Sequence, residues 1–148
     1  MKKYTSFQAT NFIKLFTLFF FLLTLLWAAG NYIAIRDVLI SWPVFIVNLL
    51  LAAALGWWYY RERYHLVFSY DGDKFILQVG RKILENGWAE FTTVSLYHPG
   101  RGDLFVRLYR DNGECVEIPA SQIRLNPSEF RFEVMDLIEK ASGRKKRI

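Results

Sequence analysis

Cysteine is nearly absent: the 148 residues include one, Cys115. A single thiol forms no internal disulfide, which excludes a cross-linked framework and agrees with a reducing compartment. Histidine is almost as scarce, at His65 and His98, and no second Cys or Asp/Glu cluster joins them at metal-ligand spacing. Cys115 stands between Glu114 and Val116 without a nucleophile motif and reads as a small half-buried strand residue. The glycines of "GRKILENG" and "GRGD" lack the helix start and spacing of a phosphate loop. Nothing here indicates catalysis, a cofactor, a metal or a small-molecule substrate, and a non-enzymatic protein is expected.

The other shortage is of charge, and it is local. From Lys3 to Tyr60 the only charged residues are Lys3, Lys14, Arg36 and Asp37, whereas the remainder is an ordinary mixed sequence. Residues 1–60 are therefore read as one part, 61–143 as a second, and 144–148 as a basic tail. In "NFIKLFTLFFFLLTLLWAAG", Asn11 is placed to cap a helix, Gly30 to end it, and Phe12 to Ala29 is apolar apart from Lys14 and two Thr. At 1.5 Å per residue that run covers about 27 Å, close to the thickness of a hydrocarbon core. Lys14, near its end, has a stem long enough to snorkel. "WPVFIVNLLLAAALGWWYY" carries Pro43 in its first turn and gives a second helix over 42–60. Asn48, Ala52 to Ala54 and Gly56 on it are polar or small, which suits close helix packing. A transmembrane helical hairpin over about 11–30 and 42–60 is expected.

Trp and Tyr collect where a helix leaves lipid, because the ring prefers the apolar layer and the N–H or O–H prefers the headgroups. Trp57, Trp58, Tyr59 and Tyr60, followed by Arg61 and Arg63, mark one interface; Trp27, Tyr32 and Trp42 form the opposite belt. Lys2, Lys3, Lys14, Arg61 and Arg63 share one side, against Arg36 offset by Asp37, so the positive-inside rule places both termini in the cytoplasm. The segment 31–42 reads either as an apolar loop in the outer interface or as a tighter turn near Arg36 and Asp37. A competing reading takes Met1-Lys2-Lys3 and "AAG" before Asn31 as a cleaved signal peptide. The Arg-flanked second helix would leave the rest of the chain cytoplasmic in that case too.

Beyond Tyr60 the pattern is short strands and then one helix. "YHLVFSY" and "KFILQVG" flank Asp71-Gly72-Asp73, a hairpin signal. "RKILENGWAEF" suggests a third strand broken at Asn86-Gly87, and "TTVSLYH" a fourth ending at Pro99-Gly100. "DLFVRLYR" and "ECVEIP" pair across Asp111-Asn112-Gly113. In the former, Leu104, Val106 and Leu108 alternate with Phe105, Arg107 and Tyr109, so one face is buried and the other at least partly wet. That wet face is the candidate partner contact, although Phe105 and Tyr109 could instead lie under the last helix. "NPSE" then starts a helix with Asn126 as cap, and Phe130, Val134, Leu137, Ile138 and Ala141 form one apolar stripe before Gly143.

This layout resembles the bacterial membrane proteins that carry a pleckstrin-homology-like (PH-like) domain, chiefly in "GRGDLFVRLYRDNGECVEIP" and the helix from Pro127 to Ala141. The resemblance covers nearly the whole chain. It implies a membrane α+β protein: a helical hairpin, then a small antiparallel, partly open β-barrel capped by one C-terminal helix, used for binding and assembly without catalysis. The phosphoinositide-binding branch carries basic residues at the first hairpin turn, whereas this turn holds Asp71 and Asp73 with only Lys74 beside them, so headgroup binding there is not expected.

The overall charge of +5 does not indicate nucleic acid. Residues 61 to 143 hold 11 Lys plus Arg against 13 Asp plus Glu, a net of −2, and the excess lies in Arg144, Lys145, Lys146 and Arg147 and in the helix flanks. Such a tail suits anionic lipid at about 1 kcal/mol per basic residue, weakened by salt, or plain solvation; the rival reading is a tail that reaches RNA or an acidic partner protein. The expected function is an accessory or assembly protein of the bacterial inner membrane, presenting its domain to a partner membrane protein or to a second copy of itself. The alternatives are an integral subunit of a larger catalytic or transport complex and a sensor of anionic lipid.

Overall fold

The structure is a computed structural model that describes residues 1–39 and 41–145, with side chains to residue 143. The chain divides into two units: Gln8–His65, which is helical, and Met1–Phe7 together with the chain from Leu66 onward, which is mostly strand.

In the helical unit, α1 spans Ala9–Ile35 and α2 spans Trp42–Arg63. Both are long and apolar enough to cross a membrane, with mean hydropathy 2.1 and 1.5 over their most apolar windows. Only 6% and 17% of those windows is buried, unlike the core helix of a water-soluble protein. Both ends of α1 depart from expectation. Gln8 rather than Asn11 precedes its first residue, and Gly30 lies inside it. A lone glycine costs a helix about 1 kcal/mol, too little to stop so long an apolar run. The helix ends instead at Arg36, in the left-handed region at φ 58°, whose N–H reaches the Tyr32 carbonyl at 3.0 Å. Pro43 occupies the first turn of α2 as expected.

The helices meet along Asn48, Ala52, Gly56 and Tyr60, the buried residues of α2, which recur every fourth position and so share one face. At Gly56 an added Cβ would lie 3.4 Å from both the Cα and the N of Phe16, so α1 passes over this position with its backbone. Edge-to-face pairs extend the contact at Phe12–Tyr60, Phe19–Tyr59 and Phe20–Phe45.

The sheet unit begins earlier than expected. Lys2–Ser6 forms strand β1, paired antiparallel with β2 (Leu66–Tyr70) from Lys2↔Tyr70 to Ser6↔Leu66. The helical segment is thus inserted between two neighbouring strands of one sheet. Tyr4 stacks on Tyr70 at 6.1 Å, and Lys2 Nζ lies 2.6 Å from Glu133 of the C-terminal helix. β3 (Lys74–Val79) and β4 (Lys82–Gly87) complete a sheet ordered β1-β2-β3-β4. The expected Asp71-Gly72-Asp73 turn joins β2 to β3, with Asp71 Oδ1 accepting the N–H groups of Asp73 and Lys74 at 2.9 and 3.0 Å. Those two N–H groups hold the Asp71 carboxyl below its usual range. Asn86-Gly87 ends β4 rather than interrupting a strand.

β5 (Thr93–Gly100), β6 (Asp103–Tyr109) and β7 (Cys115–Ile118) form a second sheet. The two sheets are not closed into a barrel, which corrects the expectation. Between β4 and β5 the chain makes a short 3₁₀ turn, Trp88–Glu90, that turns the indole of Trp88 into the core, where its Nε1 donates to the Asp71 carbonyl at 2.8 Å. The turn replaces the ladder that closure would need. Arg110 bridges the sheets instead, with ion pairs to Glu90 and Glu114 at 2.9 Å and a bond to Asn86 Oδ1 at 2.5 Å.

The C-terminal helix α3 spans Pro127–Lys145, running past Gly143. Asn126 Oδ1 accepts the Ser128 N–H at 3.1 Å, as its capping position predicts. Phe130, Val134, Ile138 and Ala141 are buried and Leu137 packs beside them. Phe130 meets the rings of Phe68 and Tyr70, both at 5.7 Å, in a core that also holds Phe75, Trp88, Phe91, Val106 and Leu108.

Candidate functional site

The register of β5-β6-β7 decides which residues share its outer face. Ser95 pairs with Arg107 and Arg107 with Glu117; Tyr97 pairs with Phe105; Tyr109 lies between Thr93 and Cys115. Val94, Val106, Leu108 and Ile118, on the opposite parity, are buried in the core beneath α3. The sequence alternation in β6 therefore has the phase expected, and Phe105, Arg107 and Tyr109 lie on the face away from the core, each half-buried. The option that Phe105 and Tyr109 sit under α3 is excluded by Val106 and Leu108, which occupy that place. Cys115, expected half-buried, is exposed on this face because its neighbour Val116 takes the inward position.

Arg107 is the centre of the face. Its guanidinium lies 3.3 Å from the centroid of the Tyr97 ring, its Nε donates to Glu117 Oε1 at 2.7 Å, and a second nitrogen approaches the same oxygen at 2.6 Å. Burial opposes the charge, but bonds to Glu117 and Tyr109 outweigh it and hold Arg107 above its ordinary value. The Tyr97 and Phe105 rings are 6.5 Å apart. The arrangement is a flat, aromatic patch with one oriented cation. Tyr97 and Glu117 were not singled out from sequence, since only the ladder register places them beside Arg107.

No comparable chemistry lies elsewhere among the described residues. None of them forms a group of three or more His, Cys, Asp or Glu able to hold a metal ion. His98 Nδ1 lies 2.6 Å from the Asp103 carbonyl across the β5–β6 turn, a turn-holding contact. A groove of about 630 Å³ runs between β5 and α3, lined by Thr93, Val94, Phe132, Met135 and Glu139 among others.

The residues assigned to membrane interfaces fall at the helix ends. Trp27 and Tyr32 on α1 and Trp42 at the start of α2 are exposed, and Trp27 Nε1 donates to the Leu39 carbonyl at 2.9 Å. Trp57 and Trp58 are exposed, Tyr59 is half-buried, and Arg63 lies 5.9 Å over the Tyr59 ring. Arg61 is exposed as well. Tyr60 differs: it is 0% exposed, and its hydroxyl accepts the Gln8 N–H at 2.7 Å. It closes the end of the helix pair instead of contacting headgroups. The side chains of Arg144, Lys145, Lys146 and Arg147 lie outside the described residues. No protein-family model, curated protein or solved structure matches this chain.

Proposed function

We propose that the chain is a non-enzymatic accessory or assembly protein of the bacterial inner membrane, whose two helices cross the bilayer with both termini in the cytoplasm. The sheet unit is then a PH-like module that binds a partner membrane protein, or a second copy, through the outer face of β5-β6-β7. The observation that carries this reading is the Arg107 patch. Arg and Tyr are over-represented among residues that dominate binding energy, and here Tyr97 and Glu117 already hold the guanidinium in place, which lowers the ordering cost of association. Two antiparallel sheets of four and three strands crossed by one terminal helix support the PH-like description. Arg61 and Arg63 in the last turn of α2, against Arg36 and Asp37 between the helices, support the orientation.

Extraction in a mild detergent followed by mass determination tests the proposal. A complex with a membrane protein, or a homo-oligomer, that is lost in Arg107→Glu and Tyr109→Ala while the fold persists is the expected result. Wild-type chain recovered only as a free monomer refutes it. A second reading, an integral subunit of a larger complex, is favoured by α1, which buries no residue and leaves its apolar surface open to neighbouring helices. It predicts recovery in fixed stoichiometry that survives both substitutions.

A further inference from the structure

Helix α3 carries two stripes. Phe130, Val134, Ile138 and Ala141 enter the core, while Phe132, Met135, Asp136, Glu139 and Lys140 follow one another at helical spacing along a different face and are all exposed. Phe132 is 66% and Met135 45% exposed, although neither belongs to the core stripe that a single amphipathic face requires. Phe132, Met135, Asp136 and Glu139 form one wall of the groove of about 630 Å³, and the chain from Phe91 to Val94 forms the other.

Charge along α3 is divided just as sharply. Its exposed acids, Glu129, Asp136 and Glu139, all precede Lys140, which the sequence follows with Arg144, Lys145, Lys146 and Arg147. Glu133 is taken by Lys2 at 2.6 Å, and Arg131, the one base among the acids, is half-buried. The helix macrodipole favours this order only within the first and last turns, which accounts for Glu129 but not for Asp136 or Glu139 in mid-helix. Asp136 pairs with Lys140 at 2.5 Å, yet both side chains are more than half exposed, and such an i,i+4 pair contributes little and exchanges readily. A helix of this kind is complementary to a second copy of itself laid antiparallel. The basic end of one then falls on Asp136 and Glu139 of the other, and the long basic stems cover Phe132 and Met135. A parallel pair would set like charges together, and an anionic lipid surface would repel the acids.

We propose that α3 pairs antiparallel with α3 of a second copy, so that the basic end of each seats in the other's groove between α3 and β5. The contact is isologous, the same patch serving on both copies. It is separate from the Arg107 patch, because Val106 and Leu108 lie beneath α3 while Arg107 is on the opposite face of β6, and both surfaces can be occupied together. The chain's own tail does not take this place: Lys146 to Ile148 reach about 10 Å when extended, whereas Phe132 lies about 20 Å back along the helix from Lys145. One helix face falls short of the roughly 800 Å² per partner of a stable complex. The pairing is therefore weak, is held by confinement of both copies in one membrane, and is lost on extraction. In that respect it rests on the two-span reading.

The test uses the full chain in a Cys115→Ser background, produced in one membrane in two differently tagged forms, one with Met135→Cys and the other with Arg144→Cys. Mild oxidation is expected to give the mixed disulfide several-fold in excess of the statistical mixture. Asp136→Lys/Glu139→Lys in the Met135→Cys chain should lower it several-fold, and Lys145→Glu/Lys146→Glu in the Arg144→Cys chain should restore it. Restoration also shows that the altered chains are folded. A statistical mixture, an excess of either same-tag disulfide, or a loss that the second pair of changes does not restore overturns the antiparallel contact. A disulfide from Met135→Cys to some other protein overturns it too, in favour of a different occupant. No disulfide between copies, with the Arg107-dependent complex still recovered in mild detergent, overturns this inference and leaves the proposed function standing. Loss of that complex with the mixed disulfide intact does the reverse.

Discussion

Enlarging Gly56 tests the packing of the two helices in two steps. An alanine there places Cβ 3.4 Å from Phe16 Cα and N, the tight limit of ordinary van der Waals contact, while removing glycine's helix penalty of about 1 kcal/mol. The two effects nearly cancel, so Gly56→Ala is expected to be neutral within about 0.5 kcal/mol. Leucine adds three more heavy atoms against backbone that cannot rotate away. Overpacking of this kind costs about 1–3 kcal/mol, and the Phe12–Tyr60 contact one turn along opens with it. Reversible unfolding in mixed detergent micelles, followed by helix content, measures both variants. An alanine variant as damaged as the leucine variant would mean a closer approach than described here. A leucine variant as stable as wild type would mean that α1 does not cross α2 at this position.

The sheet unit offers similar contrasts. Phe130→Ala should lose about 3–5 kcal/mol in chemical denaturation, because the ring is packed on Phe68 and Tyr70, whereas Phe132→Ala, 66% exposed two residues on, should stay within about 0.5 kcal/mol. Equal losses would place the phase of α3 elsewhere. Burial, with bonds to Tyr4 and Glu133, raises the Tyr70 hydroxyl above its ordinary value. Its contribution is therefore complete below about pH 10, where the unfolded tyrosine begins to ionise, and falls as pH rises beyond that. Lys2, raised chiefly by its hydrogen bond to Glu133, adds in the same direction. Tyr70→Phe should flatten the alkaline limb of the stability curve, and an unchanged limb would refute the assignment. Arg110 holds the Glu114 carboxyl below its usual range, so Arg110→Met should reduce the loss of stability as pH falls below the ordinary carboxylate range, measured by acid titration.

What the sequence revealed follows the range of each interaction. The C-terminal helix was legible because its cap, Asn126, and its stripe from Phe130 to Ala141 are local signals. The Asp71-Gly72-Asp73 turn and the phase of Phe105, Arg107 and Tyr109 were legible for the same reason. Strand β1 was not, since its five residues offer only Tyr4 as a core contact and its partner Leu66–Tyr70 lies beyond the entire helical segment. Tyr97 and Glu117 carry no sign of their role until register sets them against Arg107. The end of α1 was misplaced at Gly30 because one glycine costs a helix only about 1 kcal/mol, and the apolar run continues past it to Ile35.

The proposed function requires two apolar helices that cross the bilayer with the sheet unit on the cytoplasmic side. Protease added to right-side-out spheroplasts, with the sheet unit followed by antibody, tests this directly. The unit should survive intact and be digested only after the membrane is permeabilised. Digestion in sealed spheroplasts would contradict the account.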